Sequence, residues 1–333
     1  MENENIENTQ PVMQGKRVFL VPLTILVSSV IIAGAVYSAK PSVADIKQKV
    51  NVPVSLNKTQ VSALEESVLP SVGVVLPVVW GDLGTKLVSA GAIDVAKFRE
   101  IYEQRGAFTK EYETLLLGKS NGKLTITKDN AGYLLNLFWA LGLASKNPIL
   151  DSGEMNDPKY GGAGNFASTG GWTLAKGSAM DHYSQHKYFD LTPEQQTLVD
   201  KVSRGIYRPC CGNSTHFPDC NHGMAMLGFL ELMASQGASE QEMWQAALAV
   251  NSYWFPDTYI TIATYMKGKG VEWKSVDPKE MLGVDYSSAS GYARIASQVV
   301  KPESRQHQSG NGCGVDSPAP VVAAPKQQSG CGV

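Results

Sequence analysis

The sequence predicts a mainly α-helical protein: an irregular helical bundle with long Gly-rich loops, behind one N-terminal transmembrane helix. Three observations lead to this prediction. Apolar residues recur at helical spacing between capping residues over most of the chain. A glycine-rich stretch, residues 160–177, interrupts these helical segments and is predicted to be a loop. An uncharged apolar run of 22 residues lies near the N-terminus.

The composition suits a globular body and excludes some classes of function. Of 333 residues, 43% are apolar and 18% are charged. The net charge is −2 and no cluster of Lys or Arg is present, so nucleic acid is not an expected partner. The chain lacks a Gly-x-Ser-x-Gly elbow and a Walker loop. The sequence therefore does not decide whether the protein is an enzyme.

The N-terminal region predicts a membrane anchor. Residues 1–17 are polar, end with Lys16 and Arg17, and are expected to be a cytoplasmic segment. Residues 18–39 would cross a hydrocarbon core of about 30 Å as a helix rising about 1.5 Å per residue. This predicts a single-pass protein of the cell membrane with an extracytoplasmic body. A cleaved signal peptide, with small residues at 33–35, is the alternative, and both interpretations export the body.

The body is expected to follow a stalk. Residues 40–57 show no durable helical stripe and form the predicted stalk; residues 58–300 form the predicted helical domain. The predicted helices span 58–69, 92–106, 129–147, 191–207, 221–237 and 239–255. Residues 70–84 are apolar but interrupted by prolines, which favours a buried extended or membrane-skimming segment. Residues 257–270 fit either a helix or a strand.

Two helix starts carry strong signals. Thr192 is a good N-cap residue, and Pro193 then occupies the first helical position, where its missing N–H costs little. Ser239 and Glu242 have the spacing of a capping box. These signals fix where two of the predicted helices begin.

The C-terminal residues differ from the body. Residues 301–333 are rich in Pro, Gly, Ser, Gln and Ala, and they are predicted to be a disordered tail. The tetrapeptide Gly-Cys-Gly-Val occurs there twice, at 312–315 and 330–333. The tail thiols Cys313 and Cys331 have two interpretations. They have arisen by sequence drift in a linker without a function, or they belong to a flexible arm that captures a metal or passes it on.

The candidate site is a concentration of cysteine and histidine. The stretch RPCCGNSTHFPDCNHGM, residues 208–224, holds three of the five cysteines and two of the five histidines. Two more histidines, His182 and His186, stand four residues apart, so in a helix their Cβ atoms would lie about 5–6 Å apart on one face. We predict one composite metal site from both segments. Its ligands would be His182, His186, Cys210, Cys211, His216, Cys220 and His222, with Met224 and Met226 as additional candidates.

The surroundings of the cysteines favour thiolates. Cys220 precedes a helix expected to begin near Asn221, and a helix N-terminus lowers the pKa of a thiol. Arg204 and Arg208 are close in sequence to Cys210 and are expected to act in the same direction. Asp181 or Asp219 could accept a hydrogen bond from a ligating imidazole and so orient it.

These residues predict a membrane-anchored extracytoplasmic protein that binds a soft transition metal. Thiolate and thioether ligands favour copper, and thiolate with imidazole also suits zinc or iron. The role would be metal handling or electron transfer, with a metal- or electron-transfer protein as partner. Two alternatives remain open: a membrane-anchored thiol–disulfide oxidoreductase, and a structural surface protein stapled by disulfides.

Overall fold

The computed structural model describes residues 54–106 and 108–300. The cytoplasmic segment 1–17, the anchor 18–39, the stalk up to residue 53 and the tail 301–333 lie outside the described residues and stay predictions. Within the described part of the chain, no helix is both long and apolar enough to cross a membrane.

The mainly α-helical prediction is confirmed for the described residues, which form thirteen α-helices and one two-stranded sheet. In chain order the helices are α1 (Lys58–Val68), α2 (Leu83–Ala90), α3 (Val95–Gln104), α4 (Lys110–Leu117), α5 (Ala131–Ala144), α6 (Pro148–Asp151), α7 (Pro193–Gly205), α8 (Asn221–Ser235), α9 (Glu240–Trp254), α10 (Pro256–Gly268), α11 (Pro278–Leu282), α12 (Val284–Ser287) and α13 (Ala289–Ala296). The ambiguous segment 257–270 is therefore helical.

The two-stranded sheet shows which conformation the apolar segment after α1 adopts. Strand β1 (Val74–Gly81) pairs antiparallel with β2 (Asn121–Ile126), and an irregularity between Val75 and Val79 interrupts their register. Of the two interpretations of residues 70–84, the extended one is correct. Val54, which lies within the predicted stalk, forms a parallel bridge with Val299.

The local signals for helix starts act as predicted. Thr192 and Gln195 form a capping box at the start of α7, with Pro193 in the first position. Ser239 and Glu242 form the predicted capping box of α9. The glycine-rich residues 160–177 contain turns and short 3-10 segments, so they form the expected loop.

Helices α5 and α8 form the centre of the core. Nearly every residue of both helices is buried. The two backbones meet at Gly142 and Gly228: a Cβ added to Gly142 would overlap the carbonyl oxygen of Met224, and one added to Gly228 would lie 2.7 Å from the carbonyl oxygen of Phe138. Because only glycine permits this approach, the crossing fixes where α8 lies along α5, and with it the N-terminal end of α8.

The His182–His186 segment is not helical, so the condition under which its two histidines would share a helix face is not met. A 3-10 turn covers Ala179–Asp181, and Ser184 then takes a left-handed conformation with φ 55°. The amide of Ser184 donates to the carbonyl of Leu143 at 2.8 Å, and the amide of His186 donates to Ala144 at 2.8 Å. The segment therefore pairs with the C-terminal end of α5 instead of closing helical hydrogen bonds of its own.

Gly228→Ala should destabilise the protein because its methyl group has no room between the two backbones. Overpacking of a core costs about 1–3 kcal/mol, and we expect a loss in the free energy of unfolding of at least this size. Gly132→Ala is the matched control, since a Cβ at Gly132 of α5 meets no atom within 4 Å. Alanine should be neutral or stabilise this helix by up to about 1 kcal/mol. Urea unfolding of both variants measures the difference; equal effects would contradict the close crossing.

Candidate metal centre

The segment between α7 and α8 folds back on itself and so brings distant cysteines together. Tyr207 and Ser214 form an antiparallel bridge, and the amide of Thr215 donates to the carbonyl of Ile206 at 2.8 Å. The amide of Ala289, at the start of α13, donates to the carbonyl of Cys211 at 3.0 Å. The loop is thereby attached at its base and at its tip.

The three cysteines of this region form one thiol cluster: Cys210, Cys211 and Cys220. Their sulfur atoms all lie within 4.8 Å of one another, and the Sγ atoms of Cys210 and Cys220 are 3.6 Å apart. No disulfide joins any of these cysteines in the described part of the chain, so the disulfide-stapled alternative gains no support here. Cys220 is buried, whereas Cys210 and Cys211 are half-buried. The cluster therefore has a buried side and an accessible side.

A fully buried arginine supports the buried side of the thiol cluster. The Nε of Arg208 donates to the Sγ of Cys220 at 3.2 Å, and one of its terminal nitrogens donates to a carboxylate oxygen of Asp219 at 2.6 Å. The guanidinium lies against the first turn of α8, where a Cβ on Gly223 would come within 2.7 Å of Arg208 Cζ. Burial opposes the charge, but the Cys220, Cys211 and Asp219 side chains raise the pKa of Arg208 above its usual value. The arginine thus stays cationic beside the thiols.

This environment separates the acidities of the cysteines. Hydrogen bonds from Cys210 and Cys211, assisted by the Arg208 charge and by His222, hold the pKa of Cys220 well below its usual value in spite of burial. The neighbouring Cys210 thiol lowers the pKa of Cys211, but donation to Cys220 and burial outweigh this effect and raise it to about 11. As predicted, α8 begins at Asn221 with Cys220 as its N-cap residue, so the helix N-terminus also favours the thiolate.

The acidic and basic neighbours differ in part from the expectation. Burial raises the pKa of Asp219, although Arg208 lowers it, and Asn213 donates to its carboxylate at 2.8 Å. Asp219 therefore supports Arg208 and not an imidazole. Arg204 does not act on the thiols: it forms a two-pronged ion pair with Asp200, at 2.8 and 3.0 Å, on the exposed side of α7.

None of the four histidines of the body lies close enough to join the thiol cluster, whose three sulfur atoms are within 4.8 Å of one another. His222, two residues after Cys220, is buried against Phe255 with ring centroids 4.3 Å apart, and its Nδ1 has no hydrogen-bond partner. The Nε2 of His216 instead lies 2.8 Å from a carboxylate oxygen of Asp200.

The remaining predicted ligands lie in other surroundings. The Nδ1 of His182 is 3.1 Å from the Nε2 of His186, so these two imidazoles face each other. Met224 and Met226 are fully buried members of the hydrophobic core, which accounts for both without a metal. The structure thus brings together three of the seven predicted ligands in one group and pairs two others separately.

Sequence reasoning missed a buried carboxyl group, Glu231, in the middle of α8. It is 1% exposed, and one of its carboxylate oxygens has no hydrogen-bond partner. Burial raises its pKa to about 8, and hydrogen bonds from Ser145 and Asn147 offset only part of this effect. The only signal in the sequence was a single acidic residue inside an otherwise apolar helix.

Gly223→Ala should raise the pKa of Cys220. The added methyl group would displace the Arg208 guanidinium, so the thiolate would lose both a donor and a nearby positive charge. The ¹³Cβ resonance of Cys220, followed through a pH titration of the reduced metal-free protein, measures the change. Gly212→Ala is the control, because a Cβ there meets no atom within 4 Å. An unchanged titration in Gly223→Ala would show that Arg208 does not set this pKa.

Glu231→Gln should remove part of the pH dependence of stability. The pKa of Glu231 is raised in the folded state, from an ordinary 4.5 to about 8, so its contribution is fully present below pH 4.5 and is lost as the pH rises towards 8. A glutamine does not ionise, so the variant should gain stability relative to the parent over this range. Urea unfolding at several pH values measures it, with the exposed Glu103→Gln as control. Identical pH profiles for the two variants would refute the assignment.

Comparison with known proteins finds no matching family model, no matching curated protein and no matching solved structure. The function must therefore be argued from the chemistry of the thiol cluster and its surroundings.

Proposed function

We propose that the protein binds one soft transition-metal ion through the sulfur atoms of Cys210, Cys211 and Cys220. The observation that carries this proposal is the proximity of the three sulfurs, which all lie within 4.8 Å of one another, with Cys210 and Cys220 at 3.6 Å. Two thiolates on a tetrahedral zinc ion, with Zn–S of about 2.3 Å, lie about 3.8 Å apart. The cluster therefore needs little rearrangement to coordinate an ion.

The fourth ligand in this proposal is His222. It lies two residues after Cys220 in the first turn of α8, and its buried Nδ1 has no hydrogen-bond partner, which is costly to maintain. The ring would have to move towards the sulfurs, since it lies outside the group within 4.8 Å. Coordination by this nitrogen would satisfy it. Three thiolates and one imidazole form a common donor set for zinc, whereas three thiolates alone suit copper(I).

Charge also supports a bound cation. Three thiolates brought together would repel one another, and Arg208 is the one buried cation that contacts them among the described residues. Asp219 takes up much of the arginine charge through its 2.6 Å contact. A divalent ion would leave a single negative charge on the three thiolates, and copper(I) would leave two. The smaller remaining charge favours zinc or iron, while the softness of the sulfur ligands favours copper.

The accessible side of the thiol cluster favours metal handling as the role. Cys210 and Cys211 are half-buried, so a ligand from a partner protein can approach the ion from their side. A purely structural zinc site is normally closed by four protein ligands. Exchange of ligands at Cys210 and Cys211 would allow the ion to be taken up or released.

Serine variants of the accessible cysteines test the proposal. The reduced full-length protein should hold one copper(I) or zinc(II) ion per chain, measured by elemental analysis and competition titration. Cys210→Ser and Cys211→Ser should each weaken binding by more than about 100-fold, since even outer-shell changes cost about 10–100-fold. Both residues are chosen because Cys220 contacts Arg208, and its loss would disturb folding.

The tail variant Cys313→Ser/Cys331→Ser is the matched control, because it removes two thiols and leaves the thiol cluster intact. It should retain the full metal content. An ion that persists in both cluster variants and disappears in the tail variant would overturn the proposal.

The 3.6 Å separation of the Cys210 and Cys220 sulfurs also favours a second function, thiol–disulfide exchange. In that reaction the two thiols of the protein and one substrate disulfide would give a protein disulfide and two substrate thiols, through a mixed disulfide. Equilibration of the metal-free protein in glutathione buffers distinguishes the two. A reversible Cys210–Cys220 disulfide in a protein that binds no stoichiometric metal would make exchange the function.

A further inference from the structure

The His182–His186 pair forms a second cluster of metal-ligating side chains, outside the thiol cluster. The Nδ1 of His182 and the Nε2 of His186 are 3.1 Å apart, and the two rings meet edge to edge with an angle of 29° between their planes. Neither residue belongs to the group that contains the cysteines. The pair therefore needs an account of its own.

A hydrogen bond fixes which nitrogen of His182 carries the proton. The Nε2 of His182 lies 2.8 Å from the carbonyl oxygen of Lys176. Since a carbonyl oxygen only accepts, Nε2 must carry the hydrogen, and in the neutral ring Nδ1 then presents a lone pair towards His186. Metal-bound imidazoles are commonly oriented in this way, with the far nitrogen donating to a backbone carbonyl.

Main-chain hydrogen bonds hold the backbone of the His182–His186 segment in place. The amide of His186 donates to Ala144, and the carbonyl of His186 accepts from Lys146 at 2.9 Å. Ser184, between the histidines, is the one residue other than glycine with positive φ in the described ranges. Gly91 leaves room for the first ring, because a Cβ there would lie 3.1 Å from His182 Cε1. Strain of this kind persists where surrounding contacts enforce it, and it is frequent at functional sites.

We propose that His182 and His186 bind a divalent metal ion of the zinc class, at a second site separate from the thiol cluster. Two nitrogens bound to one ion at about 2.0–2.1 Å lie about 2.9 Å apart at a right angle and about 3.3 Å apart in a tetrahedron. Without an ion the same two nitrogens share a hydrogen bond at 3.1 Å, so a bound ion would replace the hydrogen of His186 Nε2 between them, and each ring would turn its lone pair towards the ion. On binding, the hydrogen of His186 Nε2 would move to Nδ1 of the same ring, so both imidazoles stay neutral.

The surroundings leave positions on the ion for water or a further ligand. His186 is half-buried, and its ring centroid is 5.8 Å from that of Tyr188. Tyr188 lines a cavity of about 350 Å³ together with Thr85, Lys86, Ser89 and Lys187. The two lysines are paired with Asp82 and Asp190, which offsets their repulsion of a cation. The open positions suit a site that binds a small ligand through the metal.

Zinc titration of full-length protein labelled with ¹⁵N only in histidine tests this proposal. The chain has five histidines, so each imidazole can be assigned individually. Zinc should shift the Nδ1 resonance of His182 and the Nε2 resonance of His186 together. His182→Asn and His186→Asn should each weaken this binding event by at least about tenfold. His216→Asn should leave it within about twofold, because His216 lies against Asp200 instead.

The readouts of the two sites are independent. Zinc in the thiol cluster would shift His222 and not the His182–His186 pair, so each proposal can fail alone. Unchanged His182 and His186 resonances at ten equivalents of zinc would overturn the second site. An unaltered binding event in a folded His186→Asn variant would overturn it as well.

Discussion

The contact between the backbones of α5 and α8 at Gly142 and Gly228 determines where the rest of the structure lies. With no side chain between them, the two helices approach more closely than ordinary packing allows. The N-terminus of α8 carries Cys220, and the C-terminus of α5 pairs with the His182–His186 segment. The same helix pair therefore positions both candidate sites, one at an end of each helix.

Within the thiol cluster, Arg208 has the organising role. A buried guanidinium must find acceptors, and it finds them in Cys220 and Asp219, while Gly223 leaves the space it occupies. Hydrogen bonds from Cys210 and Cys211, assisted by the Arg208 charge, hold the pKa of Cys220 well below its usual value, whereas donation to Cys220 and burial raise the pKa of Cys211. Neighbouring groups thus shift the pKa values of Cys211 and Cys220 in opposite directions.

Features that depend on neighbours in sequence could be predicted, and features that depend on the fold could not. The caps at Thr192 and Ser239 and the start of α8 act within one helical turn, and all were predicted correctly. The three cysteines were predicted to lie together, as part of a larger set of ligands, because they are close in sequence. By contrast, the conformation of the His182–His186 segment could not be predicted, since its backbone pairs with α5, more than thirty residues away in sequence. The burial of Glu231 and the separate positions of Arg204 and Arg208 likewise depend on tertiary packing.

The support that Arg208 gives to the thiols has a consequence for recognition. In many small metal sites the ion organises the loop, so the empty and loaded forms differ in shape. Here the loop is held by its own backbone pairing and by a buried cation, so the shape is present before an ion arrives. The empty and loaded forms would then differ chiefly in electrostatic potential around Cys210 and Cys211. A partner could tell them apart by charge, at a surface whose outline stays the same.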